Sequence, residues 1–301
     1  AILAQAFAQH GVQLPRPGPR ARPAMASRPY CKVWAATQDD PVSESFLTAY
    51  MVGLSVAALA LIIRIKSLRP KDLSTLLEQA GVAIDKVAKT SREIERKTFH
   101  LAGLLVPLIH QMLLMFGATH RFCMGIVWSI TVVGWTCDLA RVHVPFVQRH
   151  WPLKSILRDS EKDQLSGGSY FSLGCTLAVS LFPPVIAMTS VIFLVLGDMS
   201  AALIGRSFGK SIFKVGIGPE GKKSVEGSAA MFLVCFVFGC TIFSQVHLRE
   251  YAVFTAALVA TLAELYTPFG LNDNISIPVL AGIALTFGFQ RTYSCEPSRN
   301  P

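Results

Sequence analysis

The sequence predicts an all-α fold: a polytopic integral membrane protein with about eight transmembrane helices. Hydrophobic residues make up 51% of the 301 residues and charged residues only 16%. A soluble domain usually carries about a quarter charged residues, so this deficit favours a membrane protein. Several apolar runs also approach or exceed the roughly 17–20 residues that a helix needs to cross a bilayer core.

The predicted spans follow one another along most of the chain. The clearest is FLTAYMVGLSVAALALIIRI, residues 46–65. The others cover about residues 99–117, 121–138, 169–182, 185–204, 227–244, 251–268 and 275–289. Pro183 and Pro184 indicate a tight turn between two short spans.

Residues 1–42 precede the first span and differ from it in composition. They contain many Arg, Ala and Pro residues and no acidic residue before Asp39. That composition is typical of a targeting or disordered leader, and a stretch translated from upstream of Met25 is equally compatible with it. We therefore expect a leader at 1–42, a membrane domain at 43–292 and a short tail at 293–301.

The net charge of +9 is concentrated in loops between apolar runs, which argues against a nucleic-acid-binding protein. Lys and Arg number nine in residues 64–97, five in 141–162 and five in 206–223. The positive-inside rule places these three loops in the cytosol or its organellar equivalent. Span counting brings residues 270–276 to the same face, so four polar loops are expected to form one composite site.

The first polar segment, SREIERKTFHLAGLL at residues 91–105, approaches a span with three basic residues, Arg92, Arg96 and Lys97, and a histidine. Arg96, Lys97 and His100 form either a basic collar with an interfacial histidine or an anion-binding helix end. In the second case His100 is available for proton transfer.

The second segment runs from the end of one span to the start of the next. Asp138 precedes Arg141 by three residues, a spacing that often gives only a salt bridge. Arg158 follows in LRDSEKDQLSGGSYF, where the adjacent Gly167 and Gly168 allow backbone N–H groups to approach an anion.

The third segment, GDMSAALIGRSFGK at residues 197–210, places Asp198 inside an apolar run. An unpaired charge there costs on the order of 2.5–3.5 kcal/mol, so the interpretations are a structural ion pair or a ligand for a cation or cation–phosphate complex. The stretch from Gly205 to Ser211 is not a P-loop, because three residues instead of four separate the glycines. Gly205, Gly209 and Lys210 remain phosphate-binding candidates.

The last two segments also combine polar residues with the start of a span. Lys222, Lys223, Ser224 and Glu226 begin one span, as either a basic flank or a phosphate-binding helix N-terminus. Asp273 lies between two asparagines before another span and, with Asp198, offers oxygen ligands suited to Mg²⁺.

Taken in order, the five segments resemble the CTP-dependent lipid kinase family of dolichol and polyprenol kinases, phytol kinases and CTP-dependent diacylglycerol kinases. The resemblance covers about residues 90–290. The matching pieces are RKTFH at 96–100, LRDSEKDQLSGGSYFSLG at 157–174, LGDMSAALIGRSFGK at 196–210, GKKSVEGSAAMF at 221–232 and LNDNISIPVLAG at 271–282. The family is distantly related to phosphatidate cytidylyltransferases, but the acidic Gly-His-Gly-Gly signature of those enzymes is missing here.

The resemblance implies that the membrane domain transfers the γ-phosphate of CTP to a lipid hydroxyl, with Mg²⁺. Asp198 and Asp273 are the expected metal ligands. Asp138 is the first choice for the base that accepts the hydroxyl proton, followed by His100 and Glu226. The residues expected to bind the triphosphate or to neutralise the transferred phosphoryl are Arg96, Lys97, Arg158, Gly205, Gly209, Lys210, Lys222, Lys223 and Ser224.

The lipid acceptor stays open at this point. A single span before RKTFH is closer to phytol kinases and CTP-dependent diacylglycerol kinases than to full-size dolichol kinases. We expect the endoplasmic reticulum membrane, with a plastid or another organelle as the alternative. The competing functions are a cytidylyltransferase-type enzyme and a non-catalytic membrane subunit; a transporter ranks last, because no internal repeat is evident.

Overall fold

Helices account for nearly all regular structure in the computed structural model, as the sequence predicts. The structure describes residues 43–151, 157, 161–210, 216–217, 223–246, 248–267 and 270–294. The predicted leader at 1–42 and most of the tail lie outside these residues.

Twelve α-helices and one short antiparallel strand pair are present in the described part of the chain. The helices are α1 (Glu44–Ser67), α2 (Pro70–Gln79), α3 (Ile84–Leu101), α4 (Leu105–Met115), α5 (His120–His143), α6 (Pro145–Arg149), α7 (Gly167–Leu181), α8 (Pro184–Ile192), α9 (Asp198–Phe208), α10 (Val225–Ile242), α11 (Arg249–Tyr266) and α12 (Asp273–Ser294). A 3₁₀ turn (Ala102–Leu104) joins α3 to α4, and a π-helical segment (Phe193–Gly197) joins α8 to α9. The strands are β1 (Gly216–Ile217) and β2 (Lys223–Ser224).

Each of the eight predicted spans coincides with a helical stretch, but the count of eight spans is not confirmed. Five stretches of the described residues are long and apolar enough to cross a membrane: Ser45–Ser67, Arg96–Met115, His120–His143, Pro184–Phe208 and Val225–Ile242. Among the other three, α7 has only 15 residues, and α11 carries Arg249, Glu250 and Glu264. Short length and internal charge weaken a hydropathy signal even where a helix lies among others.

The centre of the helical assembly is built from small side chains. Ala252, Ala256 and Ala260 lie one turn apart on α11 and are fully buried. Gly288 of α12 comes so close to α11 that an added Cβ would lie 2.8 Å from the Cα of Ala252. Small residues at such spacing let two helices pack with their backbones near each other.

A continuous apolar helix through this core carries the first site residue. It consists of α8, the π-helical segment and α9, and most of its residues up to Gly197 are buried. π-helical turns inserted in α-helices are frequent at functional sites. Here the π-helical segment ends at Gly197 and is followed directly by Asp198, whose side chain is also buried.

Candidate active site

A cavity with a volume of about 700 Å³ opens where the polar segments meet. All five segments identified in the sequence contribute to its wall, and the expectation that the polar loops form one composite site is therefore met. Its lining residues among those described are Lys86, Glu93, Arg96, Lys97, Glu161, Gly167, Asp198, Ala201, Ala202, Gly205, Arg206, Gly209, Lys210, Lys223, Ser224, Gly227, Ser228, Glu264, Asn272, Asp273 and Asn274.

Lys97 and Asp198 form a buried ion pair across the cavity wall. Lys97 Nζ of α3 donates a hydrogen bond to Asp198 Oδ2 at the start of α9, and both side chains are less than one-tenth exposed. An unpaired charge at this depth would be costly, so each side chain stabilises the charged form of the other. Both groups nevertheless line the cavity, where a polyanion could contact them.

Glu93 holds two arginines from different helices. Its carboxylate accepts a hydrogen bond from Arg96 on α3 and lies 3.1 Å from Nη2 of Arg206 on α9. Burial raises the pKa of the Glu93 carboxyl, but the hydrogen bond and charge of Arg96 and the charges of Arg206 and Lys97 outweigh it. The net pKa of Glu93 is lowered, so this carboxylate stays ionised.

The N-terminus of α10 faces the same cavity. The strand pair aligns Gly216 with Ser224, and Ser224 is the N-cap of α10, its Oγ accepting a hydrogen bond from Gly227 N at 3.1 Å. Next to it, Lys223 donates to Glu264 of α11. A helix N-terminus beside a lysine favours an anion, because unpaired N–H groups and the helix dipole add to the positive charge.

The glycines of α9 and α10 allow the two helices to touch. A Cβ added to Gly227 would lie 2.7 Å from the carbonyl oxygen of Ala201 and 3.2 Å from the Cα of Gly205. A Cβ on Gly209 would lie 2.7 Å from Ser224 Oγ. Gly205 and Gly209 therefore have a packing role in addition to their place in the cavity wall. Lys210 follows with a positive φ of 62° and an exposed side chain.

The start of α12 brings oxygen ligands to the cavity. Asn274 Nδ2 donates to the carbonyl oxygen of Gly167 at 3.3 Å, and Gly167 N donates to Glu161 Oε1 at 3.2 Å. Asp273 lies beside Asn274 and lines the cavity, as does Asp198. Within the described ranges, no three His, Cys, Asp or Glu side chains form a metal-binding group. Two carboxylates still fit Mg²⁺, which usually takes one or two carboxylates together with substrate phosphates.

The sequence predictions divide into three groups on this geometry. Nine of the predicted site residues line the cavity: Arg96, Lys97, Asp198, Gly205, Gly209, Lys210, Lys223, Ser224 and Asp273. Three others, Asp138, His100 and Glu226, are described but are not among its lining residues. Arg158 and Lys222 lie outside the described residues.

Asp138, the first choice for the base, is fully engaged elsewhere. Its Oδ1 accepts from Arg141 Nε at 2.7 Å. Its Oδ2 accepts from Ser166 N at 2.7 Å, Ser166 Oγ at 3.0 Å and Ser169 Oγ at 2.6 Å. The Arg141 guanidinium, 1% exposed, donates in turn to the carbonyl oxygens of residues 161, 162 and 164. This network anchors the segment that enters α7.

The two remaining candidates for the base are buried near the site. His100 packs its ring against Phe171, with centroids 4.8 Å apart. Glu226 lies in the first turn of α10 with 6% of its surface exposed. A lipid hydroxyl in the cavity would need a rearrangement to reach either side chain, since neither is part of the wall.

Five charged side chains of the described wall were not site candidates in the sequence: Lys86, Glu93, Glu161, Arg206 and Glu264. Lys86 Nζ donates to the carbonyl oxygen of Gly209 at 3.0 Å, at the end of α9. Glu93 and Arg206 were visible inside quoted motifs, three residues before Arg96 and one turn before Lys210. The Glu93–Arg96 pair has i, i+3 spacing within α3, but the pairing of Arg206 with Glu93 joins α9 to α3 and could not be read from spacing.

Comparison with known proteins gives relatives that align with about half to two thirds of the chain. The chain is 27% identical over 169 residues to CTP-dependent diacylglycerol kinase 1 of Schizosaccharomyces pombe, covering 51% of this chain and 75% of that protein. It is 25% identical over 221 residues to CTP-dependent diacylglycerol kinase 1 of Saccharomyces cerevisiae, with 64% and 72% covered. An uncharacterized protein of Rickettsia prowazekii is 27% identical over 197 residues, with 62% and 90% covered.

No protein-family model and no solved structure matches the chain. The comparison therefore rests on the curated relatives. The two yeast proteins are named as members of the family that the five motifs resemble. The predicted resemblance is confirmed: the chain is a sequence relative of the CTP-dependent lipid kinases.

Proposed function

We propose that this protein is a CTP-dependent lipid kinase that transfers the γ-phosphate of CTP to the hydroxyl of diacylglycerol. One observation carries the proposal: all five family motifs contribute to a single cavity of about 700 Å³. Among the described residues, six Lys or Arg side chains line this cavity. A cavity rich in cations at the end of apolar helices suits a nucleoside triphosphate and a lipid that must meet at a membrane surface.

Diacylglycerol is the acceptor that the comparisons favour. The two yeast relatives carry that substrate in their names, and the chain matches 75% and 72% of their lengths. The single span before RKTFH agrees with this choice but also suits phytol. We propose the endoplasmic reticulum as the location, as expected from the sequence.

In this proposal the cations of the wall hold the triphosphate. Lys97, Lys210 and Lys223 lie on three different segments, so they can contact phosphate groups from several sides. The N-terminus of α10, capped by Ser224, adds backbone N–H groups and its positive dipole end. Arg96 stands on the same wall and offers a planar donor group.

Asp198 and Asp273 would hold Mg²⁺, which would neutralise charge on the phosphate oxygens and orient them. The fit rests on two carboxylates facing one cavity, with the amide groups of Asn272 and Asn274 next to Asp273. Lys97 would then stand beside a metal-binding carboxylate, since its ammonium group donates a hydrogen bond to Asp198.

The reaction forms a bond between the lipid oxygen and the γ-phosphorus and breaks the bond to the β–γ bridging oxygen. Negative charge therefore develops on the leaving CDP. Phosphoryl transfer passes through a loose transition state, so positioning and charge neutralisation contribute most of the rate acceleration. The hydroxyl proton passes to a base that the bound lipid can reach, and none of the three predicted bases is among the described lining residues.

The proposal is tested by a double-label assay on purified full-length protein in lipid vesicles. Label from the γ-position of CTP should appear in phosphatidic acid, whereas label from the α-position should stay in CDP. Asp198→Asn should reduce this transfer by about 10²–10³-fold, because a carboxylate proposed to bind Mg²⁺ at the phosphates is lost. With phosphatidic acid added to the vesicles as acceptor, transfer of the α-label into lipid with release of pyrophosphate would instead identify a cytidylyltransferase.

Substrate choice is measured in the same assay with phytol, a polyprenol and diacylglycerol, each with CTP and with ATP. The diacylglycerol proposal requires the highest kcat/KM for diacylglycerol with CTP. Absence of transfer to all three lipids by well-folded protein would overturn the kinase assignment and favour a non-catalytic membrane subunit.

A further inference from the structure

Glu93 is a buried carboxylate that touches two guanidinium groups at the cavity. Arg96 Nη2 donates to its Oε1, and Arg206 Nη2 lies 3.1 Å from its Oε2. The exposed fractions of the three side chains are 6% for Glu93, 14% for Arg96 and 46% for Arg206. All three side chains line the cavity wall.

A carboxylate that is not a proposed metal ligand is unfavourable in a cavity proposed to bind a polyanion. By Coulomb's law, the Glu93 carboxylate repels a phosphate group and weakens its binding, most strongly where solvent screens little. The carboxylate favours phosphate binding only if another interaction that it makes outweighs this repulsion. Its two oxygens each hold one arginine, one from α3 and one from α9, so it brings two donors together that the backbone does not join.

We propose that Glu93 is a positioning residue that orients Arg96 and Arg206 as a pair for one phosphate group, and that Arg206 is a phosphate-binding residue. The inference rests on the proposed function and adds two residues to its site. Neither Glu93 nor Arg206 was a site candidate in the sequence.

The chemistry of the guanidinium group supports this arrangement. Arginine has five N–H donors in a planar fork, and the contact with Glu93 occupies one terminal nitrogen of each arginine. Donors remain on both side chains, including Arg96 Nε, which has no hydrogen-bond partner within the described part of the chain. Two forks fixed by a shared carboxylate lose less side-chain entropy when they bind phosphate than two free arginines do.

The phosphate can come from two sources in the proposed reaction: the triphosphate of CTP or the phosphomonoester of the lipid product. Arg206 is the most exposed of the three side chains, so both ligands can reach it. The KM for CTP reports the first source, and the inhibition constant of added phosphatidic acid reports the second.

The test is Glu93→Gln, because a positioning role and a purely electrostatic role predict opposite changes in ligand affinity. Gln is nearly isosteric with Glu but uncharged. Only its Oε1 can accept a hydrogen bond, because its Nε2 is a donor. If Glu93 positions the arginines, the KM for CTP or the inhibition constant of phosphatidic acid should rise roughly tenfold, a free-energy change of about 1.4 kcal/mol, with a smaller change in kcat. If Glu93 acts only through its charge, both constants should fall.

Glu250→Gln is the matched control. Glu250 also pairs with an arginine, Arg249 at 3.5 Å, but this exposed pair does not contribute to the cavity wall. This control should leave kcat, KM and the inhibition constant unchanged. Arg206→Lys is the second variant; it keeps the charge but loses the planar fork, and it should raise the same constant as Glu93→Gln does.

The inference fails if Glu93→Gln binds both ligands as tightly as wild type or more tightly, or if Arg206→Lys changes neither constant. A thermal-unfolding midpoint for each variant separates loss of binding from loss of folding. If wild-type protein itself neither binds CTP nor transfers phosphate, the proposed function fails instead.

Discussion

Asp138 and Arg141 together hold the segment that leads into α7. Asp138 accepts four hydrogen bonds, and Arg141 donates to three carbonyl oxygens of residues 161–164. Through Glu161 and Gly167 this segment reaches the cavity wall. At the residue scale, Asp138 therefore supports the wall from behind and is poorly placed to accept a proton from a bound substrate.

Asp138→Asn separates these two roles. Breaking a buried ion pair costs about 3–5 kcal/mol, so we expect a lower free energy of unfolding and a thermal midpoint reduced by several degrees. Activity that remains should keep the wild-type shape of its pH–rate profile. A variant with unchanged stability, strongly reduced kcat and a lost acidic limb would show instead that Asp138 is the base.

The pairings of charged residues also mark the limit of what the sequence predicts at this scale. Asp198 was recognisable because a carboxylate in an apolar run is costly, but its partner Lys97 lies 101 residues earlier. Asp138 was recognisable next to Arg141, whereas its serine partners lie 28 and 31 residues later. The neighbouring sequence shows which residue is charged and whether it lies within an apolar run. The partner of that residue depends on how the helices pack.

At the scale of helices, α9 and α10 are in close contact beside the cavity. Gly205 and Gly227 meet there, and an added Cβ on either would press on the other helix. The two helices place Asp198 and the N-terminus of α10 on the same wall. The glycines are visible in the sequence, but the two helices that they bring together are not, because that choice depends on how the whole set of helices packs.

Gly227→Ala tests this contact. The new methyl group would lie 2.7 Å from the carbonyl oxygen of Ala201, so the helices must separate, at a cost of about 1–3 kcal/mol. We expect a lower thermal midpoint and weaker CTP binding together. Gly125→Ala on α5 is the control: nothing lies within 4 Å of its added Cβ, and it should leave both measurements within error or slightly raise stability.

At the scale of the whole molecule, apolar runs predicted the helices well because helix length must match the bilayer. All eight predicted stretches contain helix, yet within the described residues only five stretches are long and apolar enough to cross a membrane. The shorter or more charged helices α7, α11 and α12 pack against other helices, so burial in protein replaces contact with lipid. Hydropathy cannot distinguish these two environments.

Side-specific cysteine labelling decides how many of these helices cross. In a chain whose seven native cysteines are replaced, single cysteines at Lys71, Arg121, Asp163 and Gln245 are exposed to an impermeant maleimide on one side of sealed vesicles. Eight crossings place Lys71 and Asp163 on the cavity side, because two spans separate them, and Arg121 and Gln245 on the other. If α7 does not cross, Gln245 should label together with Asp163. The polar segments would then not all face the same side of the bilayer, and a single cytosolic catalytic surface would be excluded.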